Sequence, residues 1–154
     1  MEENISIINK TKDAVPRIPF PQIKNDILGA DYTLSVAYVG EKKSRELNST
    51  YRSKDKSTNV LSFSLSKNSG ELVLCPKVIK RENKNFDKTY PQFFLFLVIH
   101  GMLHLKGYAH SSRMDRAEKL YCKKYDAKYN GRHRRGHRDD ASRGGRILKR
   151  RKKS

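Results

Sequence analysis

The chain has 154 residues, with 34 Lys and Arg against 16 Asp and Glu, and a net charge of +18. That length suits one domain of about 100–200 residues, and that charge calls for a polyanionic partner, nucleic acid before an anionic membrane. No segment approaches the roughly 20 apolar residues of a membrane span, and the opening Met1–Asn4 lacks the layout of a signal peptide, so the reading is a cytoplasmic chain that contacts no membrane. Cys75 and Cys122 form no Cys-x-x-Cys and read as small packing residues rather than a disulfide framework.

In chain order, Ile5–Ile8 reads as a short strand. Pro16, Pro19 and Pro21 lead into a helix over 22–28 that ends at Gly29. Tyr32–Val39 alternates and is rich in β-formers, which predicts a strand. Residues 41–51 read as a polar helix with Leu47 and Tyr51 turned inward as packing residues, and 53–57 as a charged loop. Val60–Leu65 and Glu71–Cys75 read as antiparallel strands joined by a turn over 67–70. Thr89, Pro91 and Gln92 make a capping box with proline in the first turn. The segment behind it, Phe93–Ile99, is apolar on every side and therefore predicts a buried helix. Ser112 and Asp115 signal a further helix, whose Met114, Ala117, Tyr121 and Tyr125 form a core-facing stripe. From Asn130 the apolar content collapses. Residues 130–154 carry eleven Lys or Arg and two Asp, a net +9, and read as a disordered RNA-binding tail behind a folded domain at 1–129. His133 and His137 share helical spacing, but a disordered arm offers a metal no fixed geometry.

The segment His100–His110 carries the chemistry. His100 and His104 are one turn apart and project from one face of the buried helix. Gly107 suits a helix end with positive φ, after which the chain turns and His110 joins the pair. Three neutral imidazoles around one point make a catalytic zinc site with its fourth position open for water, one Zn2+ per chain. The spacing matches the zincin pattern H-E-x-x-H-x-x-G-x-x-H, except that Gly101 stands where a metalloprotease carries its general-base Glu. The metal cage is therefore expected without the protease chemistry, and Gly101 leaves room for substrate backbone where Glu would stand. Zinc can lower the pKa of its water to about 7, so a separate strong base is not obligatory.

The motif His-Gly-x-Leu-His-Leu-x-Gly-Tyr-x-His over residues 100–110 resembles that of the YbeY family of rRNA maturation factors. A second block agrees. Leu47, Asn48, Tyr51, Arg52, Asp55, Thr58, Val60, Leu61, Ser62 and Phe63 are similar to the family's L-N-x-x-Y-R-x-x-D-x-x-T-D-V-L-S-F, and Gly70-Glu71 begins a strand like its G-D-I-x-I. The resemblance implies an α+β fold, with a small mixed β-sheet packed against helices and a buried zincin-like metal-site helix. It implies a metal-dependent, single-strand-specific endoribonuclease acting on ribosomal RNA and the ribosome, in maturation of the small-subunit 3′ end and in quality control. His100, His104 and His110 take the family's metal-ligand places. Arg52 takes that of its catalytic-site arginine, a permanent planar cation for phosphate that could otherwise pair with Asp55. Lys54, Lys56 and Lys106 would line an electrostatic path to the site. The sequence departs from the family in two places. Ala109 stands where the family carries Asp, which removes a carboxylate beside the third ligand. Asn59 stands in place of the second Asp and forfeits any ion pair there. A non-catalytic or weakly catalytic ribosome-assembly factor, gripping RNA with its basic body and tail, is the alternative these departures keep open.

Overall fold

The computed structural model describes residues 4–133, with side chains through Asp126. Its elements run β1 (Ile5–Asn9), α1 (Phe20–Ile27), β2 (Thr33–Tyr38), α2 (Glu41–Arg52), β3 (Val60–Ser66), β4 (Ser69–Leu74), α3 (Pro76–Asn83), α4 (Tyr90–Lys106) and α5 (Ser112–His133). The sheet has the order β1-β2-β4-β3. β1, β2 and β4 are parallel, and β3 closes one edge antiparallel to β4. This is the small mixed sheet of the expected α+β fold.

Strand alternation sorts the sheet into two faces. Leu34, Val36 and Tyr38 of β2 and Leu72 and Leu74 of β4 enter the main core with α1, α4 and α5. Leu61, Val73 and Val39 form a smaller cluster with Leu47 and Phe63. Helix α4 packs against α5, β3, α3, α1 and β4 together, which explains why it is apolar all round. Its capping box forms as expected: Thr89 accepts from the Gln92 backbone N–H, and Gln92 accepts from that of Thr89. Helix α1 starts two residues earlier than its prolines suggest, at Phe20, with Pro21 in its first turn. Gly29 follows it at φ 107°, a conformation open to glycine. Lys24 is fully buried, and its Nζ donates to the carbonyls of Gly29, Ala30 and Tyr32 at 3.0, 3.1 and 2.8 Å.

Four expectations are corrected. Of the two residues expected inside α2, Leu47 does pack against Val39, Leu61 and Val73 but Tyr51 does not turn inward, and the most buried positions of the helix are Ser44 and Asn48. Ser44 Oγ donates to the Thr58 carbonyl and Asn48 Nδ2 to that of Lys56, so this face docks the 53–58 loop through hydrogen bonds. Leu47 is half-buried and Tyr51 is exposed. The β3–β4 connection is tighter than a 67–70 turn, because the strands pair as far as Ser66 and Ser69. Helix α3 was not anticipated at all. The cap of α5 is Ser111, whose Oγ accepts from the Met114 N–H, rather than Ser112. The predicted α5 stripe holds: Met114 and Tyr125 are buried, and Ala117 and Tyr121 pack against the core. Helix α5 runs to His133, into the stretch set apart by composition. The remainder of the expected tail, 134–154, lies outside the described residues.

Candidate functional site

Helix α4 holds His100 and His104 in its last two turns. The helix stops at Gly107 (φ 114°), whose N–H and that of Tyr108 close back on the Leu103 carbonyl. The reversal carries His110 to the other two. The His104 ring centroid lies 4.6 Å from those of both His100 and His110. One ligating atom from each histidine lies within 4.8 Å of the other two.

Hydrogen bonds decide which nitrogens face this point. Nδ1 of His104 lies 3.0 Å from the Tyr108 carbonyl, which can only accept, so Nδ1 carries the hydrogen and the Nε2 lone pair is free. Nδ1 of His100 lies 2.6 Å from Glu118 Oε2 on α5, and Nε2 is again the nitrogen left to ligate. Outer hydrogen bonds of this kind fix imidazole orientation and basicity in metal sites. Burial, reinforced by the neighbouring His100, holds the His104 pKa below the ordinary imidazole value and so favours the neutral, ligating form. His110 is exposed, and among the described residues its ring has no hydrogen-bond partner. The three imidazoles suit a Zn2+ site, which needs N ligands at about 2.0–2.1 Å and a fourth position open.

Glu118 was missed in the sequence. It is 8% exposed, one of few buried charged groups, and its carboxylate supports a site in which position 109 is Ala. Changing Glu118 to Ala is expected to weaken zinc affinity about 10–100-fold, as loss of such an outer partner usually does. Competition with a zinc-chelating dye checks this, and unchanged affinity would reject the role.

Gly101 plays a different part from the one anticipated. The room where Glu would stand is filled, because a Cβ built there would lie 2.6 Å from Leu72 Cδ2 and 3.5 Å from Val60 Cγ2. Glycine allows α4 to sit on the sheet and leaves no space for substrate.

Arg52 is not paired with Asp55, which Arg45 holds at 2.8 Å. Its guanidinium donates to the carbonyls of Ser62 (2.8 Å) and Tyr51 (3.2 Å) and lies 5.1 Å from the centre of the Phe63 ring. Its contacts are with the free edge of β3 rather than with the imidazoles. β3 is, however, the strand whose Val60 packs beside Gly101 on the metal helix. Lys54, Lys56 and Lys106 are exposed, with no carboxylate in ion-pair range among the described residues.

Asn59 is compensated rather than impoverished. Its Nδ2 donates to Glu82 Oε1 at 2.8 Å, a pairing that requires a neutral amide opposite the carboxylate. Restoring the family's acid, Asn59→Asp, should therefore lower stability at neutral pH by about 1–3 kcal/mol through a lost bond and like-charge contact. Thermal melts at pH 7 and pH 4 check the sign: repulsion raises the carboxyl pKa values, so the deficit should shrink in acid.

Cys75 is buried and Cys122 half-buried. Burial raises both thiol pKa values, that of Cys122 to about 12, in keeping with packing roles. No helix among the described residues is long and apolar enough to cross a membrane.

Comparison with known proteins agrees with this geometry. A family model described as Endoribonuclease YbeY matches residues 4–126. The Endoribonuclease YbeY of Bdellovibrio bacteriovorus is 34% identical over 131 residues, covering 76% of this chain and 87% of that protein. That of Aromatoleum aromaticum is 42% identical over 96 residues, covering 60% of this chain and 62% of the relative. A solution structure of a Thermotoga maritima protein superposes with a TM-score of 0.60 at 26% identity, over 87% of this chain and 99% of the other. The three-histidine cage, the sheet beneath it and these matches together make the chain a member of the Endoribonuclease YbeY family.

Proposed function

We propose that this chain is a zinc-dependent, single-strand-specific endoribonuclease of the cytoplasm, acting on ribosomal RNA in small-subunit 3′-end maturation and in ribosome quality control. The observation that carries the metal dependence is the orientation of His100 and His104. Each has its Nδ1 engaged by Glu118 or the Tyr108 carbonyl, which aims its Nε2 at the point His110 also reaches. The family supports RNA as substrate, as does the net charge of +18.

His100, His104 and His110 would hold zinc, which would supply Lewis acidity and lower the pKa of water at the site toward neutrality. The chain's own residues provide the rest. Glu118 and the Tyr108 carbonyl keep two rings in the ligating tautomer. Arg52 has five N–H donors, of which the Ser62 and Tyr51 carbonyls take two. The remaining donors suit a non-bridging phosphate oxygen, whose charge grows as the pentacoordinate phosphorus forms. Lys54, Lys56 and Lys106 raise the local concentration of the polyanion.

The test is cleavage of an end-labelled single-stranded RNA at fixed salt, with added zinc or with chelator. Cleavage should require metal. Arg52→Ala should lower turnover about 10²–10³-fold, the usual cost of one charge-stabilising donor, and leave zinc at one per chain. RNA bound tightly by the zinc-loaded protein and left intact would favour the assembly-factor reading, with Ala109 as the first position to restore.

A further inference from the structure

Tyr51 belongs to the motif that brings in Arg52, yet nothing so far gives it a use. It is 59% exposed, where a packing residue would be covered. Its ring and that of Phe63 form a T-shaped pair, with centroids 5.3 Å apart and planes at 67°, an arrangement that leaves at least one face of Tyr51 uncovered by that neighbour. Arg52 is fixed beside it, over the same Phe63 ring and on the Ser62 carbonyl. Helix α2 ends immediately after the pair. Ser53 takes φ 59° and its N–H closes on the Asn48 carbonyl, which orients the Tyr51–Arg52 turn before the loop begins. Lys54 and Lys56 follow, exposed and free of carboxylates, because Asp55 between them is held by Arg45. Leu65, farther along β3, is 62% exposed. The result is a bare aromatic face beside an anchored guanidinium and two unpaired ammonium groups, at the uncovered edge of the sheet.

We propose that Tyr51 is a stacking platform for one unpaired nucleobase of the RNA, belonging to the nucleotide at or next to the phosphate that Arg52 contacts. This deepens the endoribonuclease reading and rests on it for the identity of the ligand. Every nucleobase has a π-face, so an aromatic platform beside a basic groove binds single strands with little regard to sequence. A base within a duplex is already stacked on its neighbours and cannot present that face, so the platform also gives a physical origin for single-strand preference. Phe63 and the two carbonyls hold the Tyr51–Arg52 unit in place before RNA arrives, which reduces the ordering cost of binding.

The chain contains no tryptophan, so Tyr51→Trp installs a single indole at the platform while preserving stacking. Full-length protein is titrated with a short labelled oligoribonucleotide in chelator at fixed salt, following RNA anisotropy and indole emission together. The expected result is quenching of the indole by the single strand and none by a duplex of equal length. Tyr51→Phe should bind as the parent does, and Tyr51→Ala should bind the single strand about 5- to 150-fold more weakly, the usual range for one lost base stack. Full anisotropy change with unaltered emission, or parent affinity in Tyr51→Ala, overturns the platform. Quenching without metal-dependent cleavage in the separate activity assay keeps the platform and removes the nuclease reading. Failure of the single strand to bind at all removes both.

Discussion

Replacing His104 with alanine is expected to take bound zinc from one per chain to none after dialysis and to abolish metal-dependent cleavage. His104 sits between the other two rings, 4.6 Å from each, and Tyr108 fixes its tautomer. Zinc held by protein ligands at neutral pH gains about 10–16 kcal/mol in structural sites, so loss of one ligand in three costs at least about 3 kcal/mol, or more than a hundredfold in affinity. RNA affinity should change little, because, as proposed above, it rests on Tyr51 and on lysines and arginines away from the imidazoles. Metal analysis beside RNA anisotropy checks both halves, and the same variant excludes a contaminating nuclease. Zinc retained at one per chain would remove His104 from the ligand set.

Lys24→Met should destabilise the fold by about 3–5 kcal/mol, the cost of stripping a charged donor from several buried acceptors. Methionine matches the stem but supplies none of the hydrogen bonds that the ammonium makes to the Gly29, Ala30 and Tyr32 carbonyls. Those carbonyls belong to the turn that joins α1 to β2, the second strand of the sheet. Total stabilities run to about 5–15 kcal/mol, so this one group would account for a large fraction of the whole. The denaturation midpoint reads the effect. A midpoint equal to the parent's would mean that water replaces the ammonium without loss.

The sequence made the three-histidine cluster legible because its geometry is local. The His100–His104 spacing, Gly107 and the capping box at Thr89 each act within a turn or two of helix. Glu118 escaped because it reaches the site from another helix. The available signal was its place beside Ala117 within the stripe Met114, Tyr121, Tyr125, where a carboxylate in a buried row asks for a partner. Tyr51 of helix α2 was misplaced for a related reason. Apolar spacing put Tyr51 inside together with Leu47, whereas beside Leu47 the inner face is made by the hydrogen bonds of Ser44 and Asn48, small polar side chains that hydropathy counts as exposed. Helix α3 has only Val78 and Ile79 to show an apolar face in eight residues, and Pro76 in its first turn was its one clear mark. The role of Gly101 also needed coordinates, because the Leu72 side chain that excludes a Cβ comes from a strand some thirty residues earlier.

The three candidate metal ligands lie between residues 100 and 110, and the carboxylate that holds one of them is at 118, whereas the sheet pairs segments as distant as Ile5 with Leu34 and Tyr38 with Leu74. Closing a loop of about ten residues costs little entropy, and parallel pairing across long crossovers costs much more. The candidate metal cage is therefore assembled from local contacts, although the helix that carries two of its histidines is seated on the sheet. An ion at this point would hold the α4 C-terminus, the 107–111 reversal and, through Glu118, the docking of α5. In amide hydrogen exchange, added metal is expected to raise protection first in these segments, and in β2 and β4 only as far as it stabilises the whole fold.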